Sequence, residues 1–386
     1  MSDPFATPRA AYIHVPFCRH RCGYCNFTLV AGRDDLFDDY ARALEIELAG
    51  LGRPHEVDSL FFGGGTPTQL TPALLERVTE TAKLWFPLAG GYEFTVEANP
   101  ADVDAQMCEL LAGAGVNRLS LGGQSFEAGK LRMLERDHSP DELRTSFEIA
   151  RNWFGSVSLD LIFGVPGESL EIWEKDLQTT LELVPDHVST YGLTYERGTA
   201  FWSRLSAGEI GRVDEEIERD MYLLAIDTLA AAGFEHYEVS SFARPGQRCR
   251  HNQVYWSGAS YFAAGPGAAR YVDGRREINH RSTATYLKRV LAGQSPVAEQ
   301  ETLSSEERAR ETLVFGLRRL AGVNRQEFQL QTGYALDELA GEPLGRMVER
   351  GLLLDDGAWV RLSRAGLLVS DAIWPDLLAA AEQSAT

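Results

Sequence analysis

Between residue 11 and about residue 200, short apolar runs rich in β-branched and aromatic residues alternate with stretches of helical periodicity. That alternation leaves few folds open, because parallel strands need long crossovers and a helix is the usual crossover. The runs AYIHVPF (11–17), SLFFG (59–63), YEFTVEA (92–98), NRLSLG (117–122), SVSLDLIFG (156–164) and HVSTYGL (187–193) predict six strands. The spacing predicts helices over 35–49, 72–85, 102–112, 140–153, 170–183 and 214–232. Pro72 and Pro140 suit first helical positions behind Thr71 and Ser139 as caps, and Gly113 and Gly233 suit helix ends. Such units either curl into a partial barrel or open as a doubly wound sheet, and periodicity is consistent with both.

The rhythm breaks over 234–300, where Gly, Pro and aromatic residues cluster in FARPGQRCRHNQVYW and YFAAGPGAARYV. A first domain is therefore expected over 1–245, a connecting region over 246–300 and a last domain over 301–386. The last begins with the helical run SSEERARETLVFGLRRL, and Asp356-Gly357 is a strong hairpin turn, so it reads as a small helical, winged-helix-like module. With 37 basic against 56 acidic residues the net charge is −19, which repels polyanions, and no basic run offsets it. No nucleic-acid partner is expected. The N-terminal MSDPFATPRA lacks a basic start followed by an apolar stretch, and no apolar run approaches membrane-spanning length, so a cytoplasmic location is expected. A homodimer is left open.

Three of the five cysteines, Cys18, Cys22 and Cys25, form CxxxCxxC at the C-terminal end of the first predicted strand, where ligand sites of α/β folds gather. Thiols this close in a reducing compartment read as metal ligands. Three thiolates satisfy three irons of a 4Fe-4S cluster and leave the fourth open. A structural zinc would instead need a fourth ligand, such as His14 or a distant histidine, since His20 is too near in sequence to guarantee the geometry. Gly63, Gly64 and Gly65 follow a strand, where absent side chains admit close backbone approach to a ligand or simply form a tight turn.

With Tyr24 just before its third cysteine, the triplet resembles the cluster loop of the radical S-adenosylmethionine superfamily. The runs AYIHVPFCRHRCGYCNF, FFGGGTPTQL, VEANP, NRLSLGGQSF, DLIFGVPGES and HYEVSSFARPG resemble, in that order, the oxygen-independent coproporphyrinogen dehydrogenase group within it. The resemblance covers roughly residues 11–370. It implies an α/β fold, a partial (β/α)6 barrel, with Cys18, Cys22 and Cys25 holding a 4Fe-4S cluster. It also implies S-adenosylmethionine in a pocket lined by Tyr12, Gly64, Gly65, Thr66, Glu97, Gln124, Arg136, Asp160 and Gly192, and an electron donor for the cluster. The chemistry implied is one-electron cleavage of the sulfonium to a 5′-deoxyadenosyl radical.

The dehydrogenases of the group carry a further cysteine two positions after the third cluster cysteine, where this chain has Phe27. The sequence there is similar instead to the sister family of HemW-type haem chaperones, although these more often have Asp at the position of Asn26. HNQVYW resembles their HNxxYW segment, which implies haem contacts from His251, Asn252, Tyr255 and Trp256. An imidazole can ligate haem iron and the flat rings can face the macrocycle. Arg248 and Arg250 lie beside the segment as candidate propionate partners. The family's glycine-rich stretch usually ends in a histidine where this chain has Ala269. Cys249 is a candidate second soft iron ligand or a buried thiol, and Cys108 is a packing residue. The family implies a haem chaperone, with haem as cargo and apo-haemoproteins as recipients, and leaves enzymatic activity open. The competing readings are a radical enzyme that oxidatively decarboxylates a porphyrinogen, and a zinc site bracing a winged-helix regulator.

Overall fold

The structure, a computed structural model, describes residues 7–379; the first six residues of the N-terminal run and residues 380–386 lie outside the described residues. Six strands stand where the apolar runs predict them: β1 (Ala10–Val15), β2 (Val57–Gly64), β3 (Leu88–Ala98), β4 (Arg118–Gln124), β5 (Ser156–Phe163) and β6 (His187–Gly192). Each pairs in parallel with the next in chain order. A doubly wound sheet reverses its strand order at a switch point. No reversal occurs here, so the six strands form the arc of a partial (β/α)6 barrel.

The crossovers are α1 (Phe37–Ala49), α2 (Pro72–Trp85), α3 (Ala105–Gly113), α4 (Ala128–Met133) with α5 (Pro140–Arg151), and α6 (Leu170–Leu183). After β6 come α7 (Ala200–Ser206) and α8 (Glu215–Ala231). The Ser139 cap forms as expected, as a capping box with Glu142, whereas Thr71 makes no side-chain cap bond. The third helix starts at Ala105 behind Asp104, because Pro100–Asp102 is a separate 3-10 turn. Gly115, at φ 95°, takes the left-handed position that Gly113 was expected to take, and Gly233 takes its own at φ 85°.

Strand alternation sorts the side chains by face. Ile13, Leu60, Phe62, Phe94, Val96, Leu119 and Leu121 point outward into one core with the helices, and each large side chain so buried stabilises by roughly 1.5–3 kcal/mol. The intervening residues face the concave side and are largely polar, among them Tyr12, His14, Glu97, Arg118 and Asp160.

The arc does not close. Strands β7 (Glu235–Glu238) and β8 (Ser241–Ala243) extend it antiparallel beyond β6. Helix α9 (Arg250–Trp256) follows, and β9 (Phe262–Ala264) then pairs in parallel with the outer edge of β1. A second, antiparallel sheet holds β10 (Ala269–Val272), β11 (Arg275–Asn279) and, after α10 (Thr283–Leu291), β12 (Val297–Thr302).

The C-terminal module contains α11 (Ser305–Arg318), β13 (Val323–Asn324), α12 (Arg325–Thr332), α13 (Leu336–Glu349), β14 (Leu353–Asp355) and β15 (Trp359–Leu362). Its three strands form one antiparallel sheet, and Gly357 turns the hairpin at φ 86° while Asp356 accepts from the Ala358 and Trp359 amides. Leu313, Leu317, Phe328, Leu344 and Val360 give the module its own core. Arg276 of β11 ties it to the rest through Glu311 of α11 at 2.6 Å. Among the described residues no helix is long and apolar enough to cross a membrane.

Candidate functional site

The loop after β1 carries the three cysteines, all partly exposed and unbridged. The Cys25 amide donates to the Cys22 carbonyl at 3.0 Å, and Arg21 gathers the carbonyls of Cys25 and Leu29. Cys18 Sγ lies 3.4 Å from Thr66 Oγ1, and Arg136 Nη1 lies 3.6 Å from Cys22 Sγ. Burial pushes the Cys18 thiol up to about 11, and it raises Cys25 as well. The guanidinium of Arg136 is also held by Asn99 Oδ1 at 3.2 Å and Gly122 O at 2.8 Å, so a fixed cation borders the sulfurs. Among the described residues no three Cys, His, Asp or Glu side chains converge on a point able to hold a single metal ion. A cluster that spreads its thiolate bonds over separate irons suits this donor set, with its cationic neighbour, better than a mononuclear zinc. Both ring nitrogens of His14, the candidate fourth zinc ligand, are engaged, by Tyr12 Oη at 3.0 Å and Thr28 O at 2.7 Å.

The glycine run supports that loop from below. A side chain at Gly65 would meet Phe17 O at 2.6 Å, and one at Gly64, whose φ is 108°, would enter the His14 ring. The Gly64 amide donates to Glu97 Oε2 at 3.1 Å. Burial, with Asp160 nearby, pushes the Glu97 carboxyl up to about 7. Asp160 accepts from Ser120 Oγ at 3.2 Å. Gln124 ends β4 at φ 64°, a left-handed conformation unusual for a residue with a side chain. A buried cluster behind it holds the turn: Asp176 accepts from Ser125 Oγ at 2.7 Å and the Phe126 amide at 2.6 Å, and Lys130 pairs with both Asp176 and Glu168. Gly192 ends β6 opposite Phe163. Eight of the nine residues expected around the cofactor thus follow or end strands at one rim or line the concave face, and Arg136 reaches the same rim from beyond α4.

The HNQVYW segment forms α9 at the opposite end of the strands. Glu93 of β3 caps it, accepting from the Arg250 and His251 amides at 3.0 Å each. His251 is buried, with Nδ1 3.0 Å from Ser59 Oγ and Nε2 2.8 Å from Tyr255 Oη, and burial pushes its imidazole down to about 3. Both ring nitrogens are therefore occupied. Asn252 lies on the same first turn. Arg248 pairs with Glu235 and Arg250 reaches Gly91 O, so neither faces the aromatic end of the helix. Cys249 is fully buried beside Glu93, and Cys108 is fully buried in α3. Neither stands in for the thiol absent at position 27.

Tyr255 and Trp256 at the other end of α9 line a cavity of about 670 Å³, bounded also by residues 26–28 of the cysteine loop, by β10 and β11 and by α11. Arg276, Arg281 and Arg308 stand on its wall, with Phe27 and Phe315 among the apolar groups, and Ala269 marks where the expected histidine is missing. The arginines were not found from the sequence, since they lie in no motif. Beneath the wall, Glu47 accepts from the Gly265 amide, Asn279 Nδ2 and Tyr286 Oη at 2.9, 2.7 and 2.6 Å, fixing the glycine-rich turn.

Comparison with known proteins agrees with this geometry. Residues 12–180 match the model of the radical SAM superfamily, and residues 303–369 match the HemN C-terminal domain. The chain is 36% identical to the protein named Heme chaperone HemW of Bacillus subtilis, over 95% of this chain and 98% of that one. It is 35% identical to radical S-adenosyl methionine domain-containing protein 1, mitochondrial, of Danio rerio, over 97% of this chain and 87% of that one. The structure of coproporphyrinogen III oxidase (HemN) from Escherichia coli superposes with a TM-score of 0.85 at 22% identity, covering 97% of this chain and 91% of that chain, which establishes the shared fold.

Proposed function

From the premise that this chain belongs to the HemW family of the radical SAM superfamily, we propose that it is a haem chaperone that holds a 4Fe-4S cluster and S-adenosylmethionine and delivers haem to apo-haemoproteins. The observation that carries this reading is the 670 Å³ cavity joining the cysteine loop to the aromatic end of the HNQVYW helix. Its volume and its mixture of flat apolar walls with a few fixed polar groups suit a large planar ligand.

In this reading Cys18, Cys22 and Cys25 ligate three irons, and Arg136 offsets part of the cluster's negative charge. Glu97 and Asp160 on the concave face offer carboxylates to the ammonium of S-adenosylmethionine. Gly64, Gly65 and Thr66 present backbone and hydroxyl groups to it, and Tyr12, Gln124 and Gly192 complete the enclosure. When bound, the cluster and S-adenosylmethionine supply one-electron chemistry, drawing on an external electron donor. Tyr255 and Trp256 face the haem. His251 becomes a ligand to haem iron once the Tyr255 hydroxyl leaves its Nε2, so Tyr255, which lines the cavity where His251 does not, acts as the gate.

The porphyrinogen-decarboxylating alternative is disfavoured by Phe27, which presents an exposed ring where that reaction's group carries a thiol. The test is to load iron and sulfide anaerobically into the full chain and titrate haem. Wild type is expected to turn brown and bind haem, Cys25→Ala to stay colourless, and His251→Ala to bind haem with an altered Soret band. Haem uptake by wild type that His251→Ala leaves spectrally unchanged removes the histidine from the site. No uptake by wild type removes the function.

A further inference from the structure

The wall of the cavity is not evenly committed. Arg276 is spent on Glu301 and on Glu311, the latter at 2.6 Å. Arg281, at the exposed mouth, makes hydrogen bonds only to neutral groups, Thr28 Oγ1 at 3.2 Å and Asn26 O at 3.0 Å. Among the ion pairs of the described residues none includes Arg281, and none includes Glu299, the second carboxylate on the wall. A guanidinium carries five N–H donors in a planar fork, so holding the loop leaves donors free for one more acceptor.

We propose that Arg281 is the carboxylate-binding residue of this cavity, selecting planar ligands that carry an acidic side arm at the mouth while their apolar ring lies between Phe27, Trp256 and Phe315. The inference rests on the haem reading for the ring and goes beyond it by assigning the arm. It moves the acid-binding role from Arg248 and Arg250, which face away, to a residue 31 positions beyond Arg250 in the chain. The same guanidinium grips the carbonyl of Asn26, the residue after Cys25, so the ligand's acid and the cysteine loop share one anchor. Arginine suits this double duty because its fork binds a carboxylate through two parallel bonds, which lysine cannot copy.

The test uses the full, anaerobically loaded chain with two probes, protoporphyrin IX and its dimethyl ester, titrated by fluorescence. Wild type is expected to bind the diacid about tenfold or more tighter than the ester. Arg281→Ala is expected to lose that preference through weaker diacid binding, with ester affinity and iron content unchanged, and Arg281→Lys to fall between. Unchanged diacid affinity in Arg281→Ala overturns the assignment and leaves the haem reading standing. Equal loss of diacid and ester overturns it too, since the residue is then only a brace for the loop. Wild type that binds neither probe defeats the haem reading and this inference together.

Discussion

At the scale of the residue, Glu97 holds the clearest measurable signature. Its carboxyl is raised to about 7 by burial and by Asp160, against the opposing pull of the Gly64 amide and Arg118. The folded chain therefore keeps a proton that the unfolded chain, at its ordinary value of 4.5, has released. Stability contributed by this group is present below about pH 4.5 and is lost as the pH rises to about 7, by an amount on the order of 3 kcal/mol. Glu97→Gln removes that loss. In urea titrations of the cluster-free chain the variant is expected to match wild type near pH 4.5 and to exceed it at pH 8. Equal midpoints at pH 8 would show that Glu97 is ionised without penalty. The cysteines and the glycine run were legible because their spacing is itself the signal. The state of His251 was less so: HNQVYW marks the positions, but only a helix brings Tyr255, four residues on, to the imidazole.

Among the elements, the six strands and the helices α1, α2, α3, α5, α6 and α8 could be read because each βα unit repeats its own apolar pattern, and the observed bounds differ from the expected ones by a few residues, whereas the short α4 and α7 were not expected. The choice between barrel and open sheet came through the family resemblance and not through periodicity, because both are built from the same βα repeat and differ in neighbour order. The cavity could not be read, because its walls come from segments 12–14, 26–28, 255–281 and 299–315. Helix α9 depends on a contact equally remote in sequence, the Glu93 carboxylate at its N-terminus. Glu93→Ala leaves two helix amides, the buried one of His251 and the part-buried one of Arg250, without an acceptor and withdraws an anion from buried Arg118. The expected cost is on the order of 3 kcal/mol, with faster amide hydrogen exchange across residues 250–256 than in wild type. Glu93→Gln, which keeps one acceptor, is expected to lose less. Exchange that stays slow in Glu93→Ala would mean that α9 is held by its packing alone.

For the whole molecule, the cavity lies across the seam between barrel and C-terminal module, so its occupant touches both. A ligand that binds only the assembled chain stabilises it by mass action, and at a hundredfold excess over its Kd the gain is about 2.7 kcal/mol. Haem at that level is expected to raise the denaturation midpoint and to slow proteolytic cutting near residues 302–304, between β12 and α11. If haem protected the barrel and left that junction equally cleavable, it would be binding on the barrel alone.

The wall contributed by α11 has a temporal consequence. A nascent chain emerging from the ribosome completes its cysteine loop, its six barrel strands and α9 before Arg308, Thr312 and Phe315 exist, so an unfinished polypeptide has only half a container. Only once α11 has been made and has docked does the cavity acquire that wall, so a chain truncated before it is expected to lack an enclosed compartment.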